Sequence, residues 1–461
     1  MIAVLLTCVT LVFSAWAFGA VEGWAVLTVQ CLTFLAAVLA LPEIRRRTPS
    51  CRSAWSEVWD WRWGLPLLLL CVFLLIQALN PSHTYSSTDY GLTPRDYISF
   101  LPSSVAGNIT IEALLKLLTY SAVAWTVSQT CHTRERRHLL LGSVILGGFV
   151  MSVLAILREM EARWNPELTG MFVNENNYAE YANMLIPVTL ALGRASHIHA
   201  QARMQRSHPS YLLYLVAAML ATSVFMSGSR AGVIVCMASV TAWVALEVML
   251  GMRIKHKIGW VSVFSLLLPV ALAAGLLAIF GADTYRTETL DMEGLTSGLD
   301  GRIPILKATV RMFQDRWVSG TGGGTFFCAF PYYQPDHTRH LFFRYTHNDW
   351  LQYLSELGVI GSTFAVALAA GVAWRILTGS GTRSKRRENG NDGTRRSSHR
   401  HRRRSLETCE ERGVIIALAG LCVHACIDFP LHIPAIPLLA AAYLGILHCL
   451  RHNAPSRHHS G

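Results

Sequence analysis

Long apolar runs separated by short polar connections set the pattern of this chain. Runs of about 20 residues, the length that one helix needs to cross the hydrocarbon core of a bilayer, recur along the sequence. They lie near 2–21, 24–42, 64–80, 111–130, 139–157, 177–193, 210–227, 232–252, 259–281, 358–377, 413–427 and 432–450. The pattern predicts an all-α polytopic membrane protein with about twelve transmembrane helices.

Basic residues are concentrated in alternate connections between these runs. They lie in 45–62, 134–137, 194–206, 253–257, 375–412 and the tail from 451 to 457. Cytoplasmic connections of membrane proteins carry an excess of Lys and Arg. We therefore predict that both termini are cytoplasmic and that the connection 282–346 is one large periplasmic loop.

Composition agrees with this class of protein. Hydrophobic residues make up 52% of the 461 residues and charged residues 15%, whereas a soluble domain is about a quarter charged. The net charge of +11 falls largely in the predicted cytoplasmic connections. We therefore expect membrane lipid, and no nucleic acid, as a partner.

Four regions follow from this pattern. Residues 1–209 are N-terminal transmembrane helices, and 210–377 form a core that includes the loop 282–346. Residues 378–412 are rich in Arg, Ser, Gly and His and predict a disordered cytoplasmic loop. A solvated loop that fixes topology is favoured there over a contact with nucleic acid or anionic lipid. Residues 413–461 are a C-terminal transmembrane hairpin and tail.

The loop 282–346 contains a predicted amphipathic helix. Asp300 is able to cap a helix that has Pro304 in its first turn. Lys307 and Arg311 then share one face, and the apolar face is formed by Leu306, Val310 and Phe313. Such a helix can lie on a membrane surface. The alternative is a solvated face on which Arg311 pairs with Asp315.

Two further segments of this region carry unusual residues. The cluster Gly320–Gly324 lacks the Gly-Lys-Ser/Thr of a P-loop, so it predicts close approach of the backbone to substrate or to another helix. Thr346 and Asp349 fit a capping box, which places His347 where the helix dipole disfavours imidazolium. A neutral imidazole there suits a general base.

Two other interpretations of polar residues stay open at this point. A zinc site is the rival to a catalytic His347, although its ligands would fit no standard spacing. They would be His337, His340, His347 and Asp349.

Arg230 lies in the turn Ser227–Gly232 without a carboxylate neighbour in sequence. It is either an interfacial arginine that reaches the headgroups or an anion clamp on the outer face.

The order of these motifs resembles one family. The segments Ser227–Gly232, Gly301-Arg302, Gly320–Gly324 and His347–Gly361 are similar to those of the O-antigen ligase family of bacterial inner-membrane proteins, which also includes O-antigen polymerases. The strong part of the resemblance covers Tyr214–Gly361. Weaker similarity lies in Asn174–Asn177 and His424–Pro434.

The resemblance implies a GT-C-like membrane glycosyltransferase. Its donor would be a glycan linked to undecaprenyl diphosphate and its acceptor lipid A-core or another sugar, without a cofactor or metal. By position, Arg230 and Arg302 would bind the diphosphate and His347 would act on the acceptor hydroxyl. Glycosyl transfer from a diphosphate requires that the negative charge on the leaving group is neutralised and that the acceptor hydroxyl is deprotonated. The expected substrate-binding residues are Asn348, Asp349, Asn174, Asn177, Lys307 and Arg311.

Three alternatives remain for the function. A polymerase and a protein O-oligosaccharyltransferase share the donor and the outer loop with a ligase. A transporter or flippase belongs to another class, and such proteins place ionisable residues or broken helices in mid-bilayer. In this chain the charges inside the apolar runs lie near the ends of the runs.

Overall fold

The computed structural model describes residues 1–47, 61–86, 88, 91–161, 169–201, 210–254, 292–378 and 394–452. These residues form α1 (Ile2–Trp16), α2 (Gly23–Arg47), α3 (Trp61–Leu79), α4 (Gly107–Thr130), α5 (Arg134–Glu161), α6 (Glu175–Gln201), α7 (Ser210–Met226), α8 (Arg230–Ile254), α9 (Met292–Asp315), α10 (Phe326–Ala329), α11 (Asp349–Thr378), α12 (Thr394–His424) and α13 (Ala435–His452). Strands β1 (His83–Tyr85) and β2 (Leu92–Pro94) pair in antiparallel register. Short 3-10 turns lie at Phe18–Ala20, Phe330–Tyr332, Asp336–Thr338 and Pro430–His432.

The prediction of an all-α membrane protein is confirmed in its general form. Five of the described helices have stretches long and apolar enough to cross a membrane: Gly23–Glu43, Arg62–Leu79, Arg134–Glu159, Arg230–Met249 and Asp349–Trp374. Shorter apolar helices are Ile2–Trp16, Ser210–Met226 and Ala435–Arg451. Every predicted apolar run except 259–281 overlaps a described helix, and that run lies outside the described residues.

Helix α6 lies at the centre of the bundle. All its residues from 177 to 193 are buried, and it packs against α5, α7, α8, α12 and α13. Because its neighbours rather than lipid surround it, this helix can carry polar side chains that a lipid-facing span does not tolerate. Glu180 and Asn183 are such residues.

Ion pairs join the basic connections at one end of the bundle. Arg136 contacts Glu43 at the end of α2, and Arg137 lies 3.0 Å from Glu410 of α12. Arg451 at the end of α13 contacts Glu411. These pairs bring the ends of α2 and α13 together with the connection 134–137 and with Glu410 and Glu411 of α12. Helix α6 runs from this end to the opposite one.

At the opposite end, α9 packs on the short helix α10 and on the start of α4. Ile305, Ala308 and Met312 are the buried apolar side chains of α9, and they meet Phe326 and Phe330. The face predicted to be apolar is therefore not the buried one, since Val310 is 39% exposed. The buried apolar stripe of α9 is formed by Ile305, Ala308 and Met312 and lies on another side of the helix from the predicted one.

Two predictions about helix boundaries are wrong. Helix α9 begins at Met292 and contains Pro304, so Asp300 does not cap it. In the predicted loop 378–412, the chain is helical from Thr394 onwards because α12 extends beyond its apolar part. Residues 379–393 of that loop lie outside the described residues.

Candidate functional site

The candidate site lies where the chain enters α11 and meets the connection between α12 and α13. We call residues His424–Pro434 of that connection the 424–434 segment. The backbone N–H of Asp349 donates to the carbonyl oxygens of Ala425 and Asp428, at 3.0 and 3.2 Å. The two motifs are distant in sequence, and these hydrogen bonds hold them side by side.

His347 contacts a buried carboxylate. Its Nδ1 lies 3.0 Å from Oδ1 of Asp428; the His347 side chain is 28% exposed and that of Asp428 only 1%. A carboxylate oxygen only accepts hydrogen bonds, so Nδ1 carries a proton in this contact, and the neutral form of the ring has its lone pair on Nε2. The ring also packs edge-on against Phe429, with centroids 5.0 Å apart.

The backbone of His347 is strained. Its φ is +57°, a region that residues other than glycine enter rarely and at a cost of about 1–3 kcal/mol. Strain of this kind persists only where the surroundings hold it, and it concentrates at functional sites. The hydrogen bonds of Asn348 and Asp349 hold the chain in place directly after His347.

Asn348, and not Thr346 with Asp349, caps α11. Oδ1 of Asn348 accepts from the N–H of Leu351 at 2.9 Å, which is N-cap geometry. Nδ2 of Asn348 donates to the carbonyl oxygen of Cys426 at 2.9 Å. The Thr346 hydroxyl bonds to the N–H and carbonyl of Asn348, and the backbone N–H of Thr346 donates to Oε1 of Gln352 at 3.1 Å. The predicted capping box is therefore wrong, because the Asp349 side chain is used elsewhere.

Asp349 is buried, and its side chain contacts the 424–434 segment. Its Oδ2 accepts from the N–H of Leu431 at 2.7 Å, and its Oδ1 lies 2.5 Å from Nδ1 of His432. The residue is fully buried, so it does not reach a ligand. Nε2 of His432 continues the network to Gln352 at 2.9 Å. The prediction that Asp349 binds substrate is therefore not supported by its environment.

The same network fixes the glycine cluster against α11. Gln352 donates to Oε1 of Glu356 at 3.1 Å, and Glu356 accepts from the N–H of Gly324 at 2.7 Å. Gly320 has a φ of +71°, and a Cβ there would collide with the carbonyl of Glu356. Of the two predicted roles for the cluster, the contacts therefore match close approach to another helix.

Arg302 lies beside the His347–Asp428 pair. Its Nη1 donates to the carbonyl oxygen of Ile427 at 3.0 Å, and Ile427 directly precedes Asp428 in the chain. Arg302 is partly exposed, and a guanidinium has five N–H donors. The hydrogen bond to Ile427 therefore leaves other N–H donors of Arg302 that could bind an anion.

Arg230 is the first residue of α8, where α8 meets α6. Ser229 caps α8, since its Oγ accepts from the N–H of Gly232 at 3.0 Å, and it also contacts Oδ1 of Asn176 at 2.5 Å. Asn174 accepts from the N–H of Asn176 at 2.7 Å and so starts α6. The predicted substrate contact Asn174 thus has a structural role.

Asn177, another predicted substrate contact, is 3% exposed. It lies in the first turn of the buried helix α6, so the structure favours a place in the helix packing over contact with a ligand. Lys307 and Arg311, by contrast, are exposed on α9. Among the described residues neither forms a hydrogen bond with the 424–434 segment.

A second buried histidine–carboxylate pair links α6 to the 424–434 segment. Nδ1 of His424 lies 2.6 Å from Oε2 of Glu180, and both side chains are 1% exposed. The carbonyl of His424 accepts from the N–H of Asp428 at 3.0 Å. The N-terminal part of α6, which contacts Ser229 beside Arg230, is therefore connected to the residue that holds His347. Sequence reasoning missed this pair.

Cys328 and the residues of the predicted zinc site lie in the same region. Cys328 is 3% exposed, and its burial, with the nearby Glu356 carboxylate, raises the pKa of its thiol to about 12. Within the described part of the chain no three His, Cys, Asp or Glu residues lie close enough together to hold a metal ion. His347 and Asp349 instead contact Asp428 and His432.

Comparison with known families agrees with the motifs. Residues 215–366 match the sequence model of the O-Antigen ligase family. The matched stretch contains Arg230, Arg302 and His347, whereas Asp428 and Glu180 lie outside it. No curated protein matches the chain.

Proposed function

Since residues 215–366 place this chain in the O-antigen ligase family, we propose that it is a glycosyltransferase of the bacterial inner membrane. It moves a glycan from an undecaprenyl-diphosphate donor to lipid A-core or another sugar acceptor. The reaction takes place on the periplasmic face, at the end of the bundle that carries His347, and both termini lie in the cytoplasm. The observation that carries the proposal is the contact of His347 with the buried Asp428 carboxylate.

His347 is the proposed general base. With Nδ1 bonded to Asp428, Nε2 takes the proton of the acceptor hydroxyl as its oxygen attacks the anomeric carbon. The bond from that carbon to the phosphate oxygen breaks, and its electron pair leaves with undecaprenyl diphosphate. The Asp428 carboxylate stabilises the imidazolium that forms, as the carboxylate of a Ser-His-Asp triad does. The proton then passes to water.

Arg302 and Arg230 are the proposed diphosphate ligands. Arg302 lies beside the His347–Asp428 pair through its bond to Ile427, and Arg230 begins α8, whose N-terminal dipole favours an anion. Guanidinium groups bind phosphate oxygens in a bidentate manner and neutralise the charge that develops on the leaving group. The chain's own residues therefore supply both the base and the counter-charge that the step needs.

Asn348 and Asp349 are proposed to act through His347. Asn348 ties the start of α11 to Cys426, and Asp349 ties it to Leu431 and His432. Together they hold the strained His347 opposite Asp428. Loss of either contact should therefore lower turnover without removing a group that touches the substrate.

Deletion of the gene, followed by gel analysis of lipopolysaccharide and lipid-linked glycans, tests the proposal. A ligase predicts that capped lipopolysaccharide disappears and that long lipid-linked chains accumulate. Loss of chain length instead means a polymerase, and loss of glycan from a protein means a protein O-oligosaccharyltransferase. Unchanged glycans contradict all three.

A further inference from the structure

The pair formed by Glu180 and His424 lies in the core of the bundle, away from solvent. Both side chains are 1% exposed, and Nδ1 of His424 lies 2.6 Å from Oε2 of Glu180. Among the described residues, Oε1 of Glu180 and Nε2 of His424 have no hydrogen-bond partner. Burial of two ionisable groups costs free energy, and an apolar pair of similar volume is often at least as stable. Stability alone therefore does not account for this pair.

On one side, the pair holds the turn that runs from His424 to Asp428. The carbonyl oxygen of His424 accepts from the N–H of Ile427 at 2.9 Å and from that of Asp428 at 3.0 Å. The turn is also bonded to the start of α11, since the N–H of Asp349 donates to the carbonyl oxygen of Asp428 at 3.2 Å. His347 and Asp428 therefore form one unit, and the side chain of His424 attaches that unit to α6.

On the other side, the same part of α6 holds the start of α8. Nδ2 of Asn183 donates to the carbonyl oxygen of Gly232 at 2.8 Å, and Oδ1 of Asn176 contacts Oγ of Ser229 at 2.5 Å. Arg230 lies between Ser229 and Gly232, so these two contacts fix the position of its backbone. Helix α6 is thus bonded to both sides of the candidate site.

We propose that Glu180 and His424 are positioning residues that fix the distance between the base and the leaving group. The inference rests on the proposed function, in which His347 is the base and Arg230 binds the diphosphate. The N-terminal part of α6 is the spacer between them, with the pair at one contact and Asn183 at the other. Reacting groups need an accurate separation, because a misplacement of about 1 Å can lower the rate about a hundredfold. Loss of the pair should therefore lower turnover without loss of donor binding.

The double variant Glu180→Met/His424→Leu tests the inference with the full-length protein in nanodiscs. It replaces the pair by apolar side chains of similar volume, so it should unfold at or above the wild-type temperature. Its kcat for transfer from a lipid-linked donor should fall about ten- to a hundredfold. The donor Kd should stay unchanged, because Arg230 and Arg302 belong to α8 and α9. If the pair only stabilised the fold, a stable double variant would keep its kcat.

Three comparisons separate position from charge and from general damage to α6. Glu180→Gln keeps an oxygen that accepts from Nδ1 of His424, so it should recover most of the wild-type kcat; an equal loss in this variant would contradict a role in positioning. Arg194→Met/Glu247→Leu removes an ion pair of 2.8 Å between α6 and α8, about 20 Å further along α6, and should change neither kcat nor donor Kd. In a His347→Ala background, loss of the pair should cost nothing further, because the pair acts through the base.

Asn183→Leu is a second test that leaves the pair intact. It removes the hydrogen bond to Gly232 and so loosens the other end of the spacer. Its kcat should also fall, while hydrogen exchange in the turn His424–Asp428 should stay at the wild-type rate. A folded Asn183→Leu variant with the wild-type kcat would contradict the role of α6 as the spacer.

Three further results would overturn the inference. The first is a folded double variant with the wild-type kcat, and the second is a donor Kd that rises as much as kcat falls. The third is a loss of kcat that is undiminished in the His347→Ala background. If wild type transfers no glycan, the proposed function fails, and hydrogen exchange still decides whether the pair holds the turn. The peptide that contains His424–Asp428 should exchange about tenfold faster in the double variant, as loss of a charge-assisted hydrogen bond predicts, and equal exchange would contradict the inference.

Discussion

Replacement of Asp428 by Asn removes the charge that holds His347 while leaving the shape of the site nearly the same. The Asp428 carboxylate is 1% exposed and accepts from His347 and from the N–H of Phe429, each at 3.0 Å. Its Oδ2 is buried without a hydrogen-bond partner among the described residues. An amide fits this place, so the variant should fold.

The expected loss of turnover follows from the hydrogen bond between His347 and Asp428, which is the contact that the substitution changes. A hydrogen bond to a charged group contributes about 1.5–3 kcal/mol, and each 1.4 kcal/mol is a factor of ten, so kcat should fall about ten- to a hundredfold. An amide can also donate to Nδ1 and so favour the wrong tautomer of the imidazole, which places the loss towards the upper end. The donor KM should not change, because the proposed diphosphate ligands are Arg230 and Arg302.

A double-mutant cycle distinguishes positioning from general damage. Transfer is measured in membranes for Asp428→Asn, for His347→Ala and for the pair. If Asp428 acts through His347, the second substitution should cost nothing further once His347 is gone. Losses that multiply in the double variant would refute the reasoning, as would a rise in donor KM equal to the fall in kcat.

Three further predictions follow from single residues. Arg302→Lys should raise the donor Kd about tenfold, since the fork that grips two phosphate oxygens is lost; unchanged donor binding would remove Arg302 from the diphosphate site. Gly358→Ala should destabilise the protein by about 1–3 kcal/mol because φ is +62° and a Cβ would meet backbone at 2.5 Å. Thermal unfolding checks this, and Gly301→Ala, with open space around it, should change little. Cys328, buried and with a raised thiol pKa of about 12, should stay unmodified by maleimide in mass spectrometry while the exposed Cys426 reacts.

The sequence predicted the helices well because long apolar runs leave few alternatives to a helix in a membrane. It also singled out His347 and Arg302, whose contacts to Asp428 and Ile427 put them in one place. Local chemistry was sufficient there, since a histidine next to a helix start in a polar loop is conspicuous among apolar spans.

The partners of these residues were not predicted, because they depend on packing between distant parts of the chain. Asp428 is 81 residues from His347, and His432 is 83 residues from Asp349. The signal that could have found them was two histidines and an aspartate in a short Pro-rich segment between two apolar runs. The predicted capping box is wrong for the same reason. The Asp349 side chain bonds to Leu431 and His432, which are distant in sequence, and Asn348 is the residue that caps α11.

The start of α9 shows a limit of local signals. Asp300 and Pro304 form a plausible helix start, but α9 begins at Met292. Packing of Ile305, Ala308 and Met312 on α10 stabilises the helix, and that contact is invisible in the sequence.

The most direct test of the central claim is transfer by purified protein from a lipid-linked donor, with wild type and His347→Ala compared beside a donor-binding assay. A positioned base typically contributes on the order of a hundred- to ten-thousandfold. His347→Ala should therefore lose most turnover and still bind donor, because the proposed diphosphate ligands are Arg230 and Arg302. Turnover near the wild-type rate in this variant, or loss of donor binding in it but not in Arg230→Ala, would contradict the role assigned to His347.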